Sequence, residues 1–132
     1  MSFRIIGIHH IEFTVSNLIR TKRYYEKLPG FKLVADYPNF IMFYTGSFYV
    51  GFTDHKGSLK EKKFNEKNVG MDHVSFTVSS RKDLEEALLF FAKEGILHGQ
   101  IKKLSNNTYV LAFRDPDNIQ LELSYRENSP PK

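Results

Sequence analysis

Apolar residues occupy every second position in two short segments of the chain, one near residue 10 and one near residue 75. The apolar positions are Ile11, Phe13 and Val15 in the first segment, and Val74, Phe76 and Val78 in the second. Successive side chains of a β-strand point to opposite faces, so each segment predicts a strand with one apolar and one polar face. The polar positions are His10, Glu12 and Thr14, and His73, Ser75 and Thr77. We expect the apolar faces to pack on helices and the polar faces to meet water or a cleft.

The two strands belong to an internal repeat. Residues 7–16 (GIHHIEFTVS) and 70–79 (GMDHVSFTVS) are identical at six of ten positions, at an offset of 63 residues. Only two copies fit in 132 residues, so the pattern predicts a duplicated module within one domain rather than a long solenoid.

A helix is predicted after each copy of the repeat. Asn17 is a good N-cap for a first helix, which Pro29-Gly30 ends. Its predicted buried stripe is Leu18, Thr21, Tyr25 and Leu28. Ser80 and Asp83 resemble a capping box at the start of a second helix, which Gly95 ends. Its stripe is Leu84, Ala87, Leu88 and Phe91.

Three strands are predicted after each helix, which completes a βαβββ pattern in both halves. In the first half they are 32–36, 40–45 and 48–53, and in the second half 97–103, 109–114 and 119–125, with turns at 46–47 and 115–118. The predicted fold class is therefore α+β, built from two βαβββ modules. We place module one at about 5–54, a linker at about 55–68, module two at about 69–126 and a flexible tail at 127–132.

Composition excludes several classes of function. The net charge is +4, yet the lysine-rich stretch from Lys56 to Lys67 is interrupted by Glu61 and Glu66. This mixture favours a solvated linker over a nucleic-acid surface. The absence of cysteine excludes disulfides, thiolate metal sites and cysteine nucleophiles. No apolar run approaches a membrane span and no signal-peptide pattern opens the chain, so we expect a cytoplasmic protein with no membrane partner.

Three residues are the candidate ligands of a divalent metal ion. His10 and His73 occupy the same position of the two repeats, and Glu122 lies on the polar face of the last predicted strand. Duplication brings equivalent positions around one axis, and two histidines with one carboxylate form a facial triad suited to a first-row metal. The alternative is that these residues lie on the solvent face of half-buried strands. Glu12 is the candidate general base or hydrogen-bond partner of a ligand, and its alternative is a simple solvent carboxylate.

The sequence resembles the vicinal oxygen chelate superfamily, which includes glyoxalase I, fosfomycin-resistance enzymes, extradiol dioxygenases and bleomycin-resistance proteins. The resemblance covers about residues 5–126 and is carried by IHHIEFTV, RYYEKLPGFKL, GMDHVSFTV and FRDPDNIQLEL. It implies a half-open barrel around a metal (iron, manganese, nickel or zinc), a small-molecule substrate and a homodimer, with the modules paired within or between chains.

The resemblance also implies a reaction class. It implies a lyase or isomerase, a thiol transferase or a dioxygenase whose metal chelates vicinal oxygens of the substrate and stabilises an enolate or oxyanion. The family often has a fourth ligand on the last strand of the first module. Matching FYVGF to IQLEL puts Gly51 at that position, opposite Glu122, which leaves three protein ligands. The alternative function is a metal-free protein that sequesters a ligand, like the bleomycin-resistance proteins.

Overall fold

The computed structural model describes residues 3–127, which form two compact α+β units divided between Lys62 and Lys63. Each unit has a four-stranded sheet and one α-helix. This confirms the predicted fold class of two βαβββ modules. Most of the predicted tail, residues 128–132, lies outside the described part of the chain.

The first unit runs β1 (His10–Thr14), α1 (Leu18–Glu26), β2 (Lys32–Tyr37), β3 (Phe40–Tyr44) and β4 (Tyr49–Thr53). The strand order is β1-β4-β3-β2, and β1 pairs with β4 in parallel. The side chain of Asn17 accepts a hydrogen bond from the backbone N–H of Arg20, so it caps α1 as predicted. The helix ends at Glu26, and Leu28 is buried just beyond it.

One face of the first sheet forms an aromatic core with α1. Tyr25 and Phe52 are fully buried, and their ring centroids are 4.4 Å apart. Phe43, also fully buried, lies 6.0 Å from Phe52 in an edge-on arrangement. Alternation along β1 and β4 leaves His10, Glu12 and Gly51 on the opposite face.

The second unit repeats this topology with β5 (Val74–Thr77), α2 (Arg81–Glu94), β6 (Lys102–Lys103), β7 (Thr108–Arg114) and β8 (Gln120–Arg126). Its strand order is β5-β8-β7-β6, with β5 and β8 parallel. Ser80 caps α2 by accepting from the N–H of Asp83, and Gly95 ends it in the left-handed conformation at φ 69°. Both predicted ends of this helix are therefore confirmed.

The prediction of a continuous strand over residues 97–103 is wrong. His98 forms only an isolated bridge with Phe113, and regular pairing is limited to the two residues of β6. Gly99, which has no side chain, and polar Gln100 lie between them, so the segment has no continuous alternation of apolar and polar side chains.

The second half of the predicted linker is bound to the turn between β7 and β8. The N–H of Phe64 donates to the carbonyl of Asp117 over 2.7 Å, and the Asn118 side chain donates to the carbonyl of Phe64 over 3.0 Å. Glu66 forms an ion pair with Arg114 on β7, at 2.8 Å. The second unit thus begins at Lys63, six residues before the predicted start of module two.

Neither helix in residues 3–127 has the length and apolar character needed to cross a bilayer.

Candidate metal centre

His73 and Glu122 lie side by side on the polar face of the second sheet. Strands β5 and β8 run parallel with Ser75 opposite Glu122, which puts His73, just before β5, beside the start of β8. The His73 Nε2 atom is 3.7 Å from Glu122 Oε1. The His73 side chain is 40% exposed and the Glu122 side chain 20%, so a ligand can reach both groups although water is partly excluded from them.

Asp72 determines which nitrogen of His73 carries the proton. Its Oδ1 lies 2.7 Å from His73 Nδ1. An ionised carboxylate can only accept hydrogen bonds, so Nδ1–H is the donor. In the neutral imidazole, Nε2 is then the unprotonated nitrogen, and its lone pair is available on the side of Glu122.

The facing lone pair and carboxylate fit a cation between them. Zinc binds histidine nitrogen at about 2.0–2.1 Å and carboxylate oxygen at about 2.0–2.2 Å. A nitrogen and an oxygen 3.7 Å apart would both lie within reach of one such ion.

A chain of two serines on the same face ends at the carboxylate of Glu122. Ser124 Oγ donates to Glu122 Oε1 over 3.1 Å. Ser75 and Ser124 are also in short hydrogen-bond contact through their hydroxyls. Because Ser124 gives its proton to Glu122, Ser75 is the donor in that contact. These bonds orient the carboxylate of Glu122.

The first unit carries the other predicted ligand, His10, with His9 as its partner. The Nδ1 atoms of the two rings are 2.8 Å apart, so one donates and the other accepts. His9 has the opposite strand parity to His10, and both residues are exposed. Its ring also lies 5.8 Å from that of Tyr49 on β4.

Gly51 lies opposite Glu12 in the β1–β4 pair, just as Glu122 lies opposite Ser75 in the β5–β8 pair. The register therefore supports the sequence match of Gly51 with Glu122. A Cβ added to Gly51 would be 3.0 Å from a Phe40 ring carbon and 3.5 Å from Glu12 Cγ. Phe40 and the stem of Glu12 thus occupy the space in which a side chain at position 51 would begin.

The remaining histidines have other contacts. His55 lies in a short 3-10 turn after β4, and its Nε2 is 2.9 Å from Thr14 Oγ1. His98 Nδ1 donates to the carbonyl of Gly99 over 2.6 Å. Within either unit, the described residues include no group of three His, Asp or Glu side chains that could hold a metal by itself.

Sequence reasoning missed Asp72 and Gln120. The Gln120 amide donates to Asp72 Oδ1 over 2.8 Å and to the Asp72 carbonyl over 3.0 Å. Behind it, Arg114 donates to Gln120 Oε1 over 3.2 Å and to both oxygens of Glu66. Two signals were present in the sequence: Asp72 directly precedes a candidate ligand, and Gln120 shares the strand parity of Glu122.

The Arg114 guanidinium, by hydrogen bonding to the carboxylate, lowers the pKa of Glu66 from 4.5 to about 2. The same pairing raises the pKa of Arg114. The charges of this pair are therefore fixed at neutral pH, and Arg114 is held where it can orient Gln120.

Residues 7–123 match the model of the Glyoxalase/Bleomycin resistance protein/Dioxygenase superfamily. The chain belongs to this superfamily. No curated protein matches it. Several solved structures match the chain. A glyoxylase/bleomycin resistance protein/dioxygenase domain from Frankia sp. EAN1pec is 29% identical with a TM-score of 0.82, over 94% of this chain and 100% of that one.

Two further solved structures share the fold at lower identity. Lactoylglutathione lyase from Agrobacterium tumefaciens is 20% identical with a TM-score of 0.73, over 89% of this chain and 92% of that one. The fosfomycin resistance protein FosX from Mesorhizobium loti is 19% identical with a TM-score of 0.70, over 95% and 96%. Their names span different reactions, so the fold alone does not choose among them.

Proposed function

We propose that this superfamily member is a metal-dependent enzyme acting on a small oxygen-rich molecule, with His10, His73 and Glu122 as the ligands of one divalent ion. The observation that carries the proposal is the approach of His73 Nε2 to Glu122 Oε1 at 3.7 Å while Asp72 holds Nδ1. A lone pair facing a carboxylate is unfavourable unless a proton, a water molecule or a metal ion lies between them. When bound, the ion supplies Lewis acidity to substrate oxygens.

The protein's own side chains supply binding and proton transfer in this proposal. Glu12 shares the polar face of β1 with His10, two residues along the strand. The described contacts give Glu12 no ion-pair partner, and its stem passes beside Gly51. We assign it the role of proton acceptor from the substrate. Ser124, itself hydrogen-bonded to Ser75, orients the Glu122 carboxylate.

The metal assignment is tested by elemental analysis of purified, tag-free protein after iron, manganese, nickel or zinc has been supplied. We expect near-stoichiometric metal in the wild type and its loss in His73→Ala, Glu122→Ala and His10→Ala. His98→Ala is the matched control, because His98 bonds a backbone carbonyl in the second unit and should leave metal content unchanged. Urea unfolding confirms that each variant is folded.

A wild type that stays empty with all four metals contradicts the proposal and leaves the ligand-sequestering alternative. Equal metal content in every variant contradicts the ligand assignment. The Glu12→Gln variant separates two roles of that carboxylate: as a proton acceptor it leaves metal content intact, whereas loss of metal would make it a ligand.

We further propose that the protein acts as a homodimer. Large apolar side chains are exposed before β1: Phe3 (70%), Ile5 (83%), Ile6 (90%) and Ile8 (69%). Contiguous exposed apolar residues of this kind mark association surfaces. Light scattering should give twice the 15.4 kDa chain mass for the wild type and the single mass for Ile6→Lys. Leu89→Lys, at a 71% exposed position on α2, is the control. A monomeric wild type contradicts this part of the proposal.

A further inference from the structure

Each candidate histidine ligand is preceded by a residue that contacts its Nδ1 atom. Asp72 Oδ1 is 2.7 Å from His73 Nδ1, and His9 Nδ1 is 2.8 Å from His10 Nδ1. Asp72 and His9 occupy the same position of the two repeats, at the 63-residue offset that relates His73 to His10. The residue type differs between the two repeats, but in both repeats this residue contacts Nδ1 of the histidine that follows it.

We infer that Asp72 and His9 are equivalent positioning residues, which hold the Nδ1 protons of His73 and His10 and leave Nε2 of each ring as the unprotonated nitrogen. The inference rests on the proposed function for its purpose, since a metal ligand needs that lone pair. A free neutral imidazole can carry its proton on either nitrogen. A hydrogen-bond acceptor held beside Nδ1 keeps the proton there, which leaves Nε2 with the free lone pair. Such partners also fix the orientation of the ring.

A network of hydrogen bonds holds the Asp72 side chain in place. Its Oδ1 receives hydrogen bonds from both His73 Nδ1 and the Gln120 amide, at 2.7 and 2.8 Å. Gln120 is oriented in turn by Arg114, which Glu66 fixes. The side chain of Asp72 is 68% exposed, so without Gln120 it would be free to rotate into solvent. The network gives an exposed carboxylate one defined position.

The role of His9 depends on whether the His9 or the His10 ring donates the hydrogen bond between them. A carboxylate at Asp72 can only accept, whereas His9 can accept at Nδ1 only in its Nε2–H form. The pseudo-symmetry of the two repeats predicts that form, with His10 as the donor. The carbonyl of His9 accepts from the N–H of Tyr49, which anchors the His9 backbone to β4. The His9 ring also lies 5.8 Å from the Tyr49 ring.

The tautomers can be measured without metal. Long-range proton–nitrogen NMR correlations on chelator-treated, nitrogen-15-labelled protein identify the protonated nitrogen of each ring, at about pH 8.5, well above the ordinary histidine pKa of about 6.5. We expect Nδ1–H for His73 and His10 in the wild type. Asp72→Ala should move His73, and His9→Ala should move His10, toward the Nε2–H form. Asp36→Ala, which removes a carboxylate paired with Lys22, is the control.

Two conservative variants separate position from charge. In Asp72→Asn the Gln120 amide still favours an amide oxygen facing His73, so the Nδ1–H tautomer should be retained. His9→Asp copies the arrangement of the second unit and should retain Nδ1–H on His10. Zinc titration should then show about 10- to 100-fold weaker binding for Asp72→Ala and His9→Ala, with recovery in the conservative variants.

The failures of the two proposals are distinguishable. If His73 keeps its Nδ1 proton in Asp72→Ala, or if His10 carries its proton on Nε2 in the wild type, the corresponding half of the positioning inference is overturned. If the tautomers respond as expected but the wild type binds no zinc or other divalent ion, the hydrogen bonds are established and the proposed metal function is overturned.

Discussion

The ion pair between Glu66 and Arg114 predicts a specific acid dependence of stability. Two guanidinium nitrogens of Arg114 donate to the two Glu66 oxygens over 2.8 and 3.1 Å, and the pKa of Glu66 falls from 4.5 to about 2. Between these two values the unfolded chain takes up a proton at residue 66 while the folded protein does not. The pair therefore contributes its full stabilisation above about pH 4.5 and loses it as the pH falls toward 2.

The perturbation is Glu66→Gln, which removes the titrating group and retains a side chain of similar size. We expect its urea unfolding midpoint to lie below that of the wild type at neutral pH. The difference between the two midpoints should shrink as the pH is lowered from about 4.5 to about 2. Only the wild type has a carboxylate at residue 66 that takes up a proton in that range. Glu61→Gln removes an exposed glutamate of the same segment and should show neither effect.

The magnitude is checked directly by NMR titration of the side-chain carboxyl groups. Glu66 should titrate near 2 in the wild type, and in Arg114→Gln its pKa should rise toward 4.5. A wild-type pKa near 4.5 would refute the reasoning, since the ion pair would then exert no lasting field on Glu66. A midpoint difference that is constant from neutral to acidic pH would refute the linkage between the pair and acid stability.

Three further predictions concern stability. Ser80→Ala removes the cap of α2, whose oxygen is 3.1 Å from the Asp83 nitrogen, and should cost about 0.5–2 kcal/mol in urea unfolding; an unchanged midpoint would contradict the capping role. Phe91→Ala empties a fully buried site stacked on Phe113 at 4.4 Å and should cost about 3–5 kcal/mol, whereas truncation of exposed Leu89 should cost little. A Cβ at position 51 meets the Phe40 ring at 3.0 Å, so Gly51→Ala should cost less stability when Phe40 is also replaced by alanine. In a double-mutant cycle the cost should fall by at least about 0.5 kcal/mol. Additive effects of the two substitutions on the free energy of unfolding would contradict that contact.

Local signals in the sequence predicted most of the fold. Asn17, Ser80 and Gly95 predicted helix ends correctly. Each is a local signal, because a capping side chain or a left-handed backbone conformation acts within one turn of its own residue. Alternation in β1 and β5 predicted the buried and polar faces. The strand predicted at residues 97–103 was wrong because pairing depends on a partner strand. The residue types around His98 and Lys102 do not reveal that β7 pairs regularly with only two residues of the segment.

The candidate site was predicted less completely than the fold. Strand parity and the repeat put His73 and Glu122 on one face, and their 3.7 Å separation agrees with that reasoning. The partners that orient them were not predicted, since Gln120 and Asp72 are 48 residues apart in sequence and meet only through the β5–β8 pairing. The grouping of His10 with the other two ligands is still a prediction.

The bonds of Phe64 and Glu66 to the second unit determine where the chain can be cut for protein engineering. A fragment that begins at Val69, where the repeat would suggest a boundary, loses the hydrogen bonds of Phe64 and the carboxylate that neutralises Arg114. A fragment that begins at Lys63 keeps them. Split reporters, domain fusions and circular permutants of this protein should therefore place their junction at the exposed lysines 62 and 63, on the amino-terminal side of Phe64.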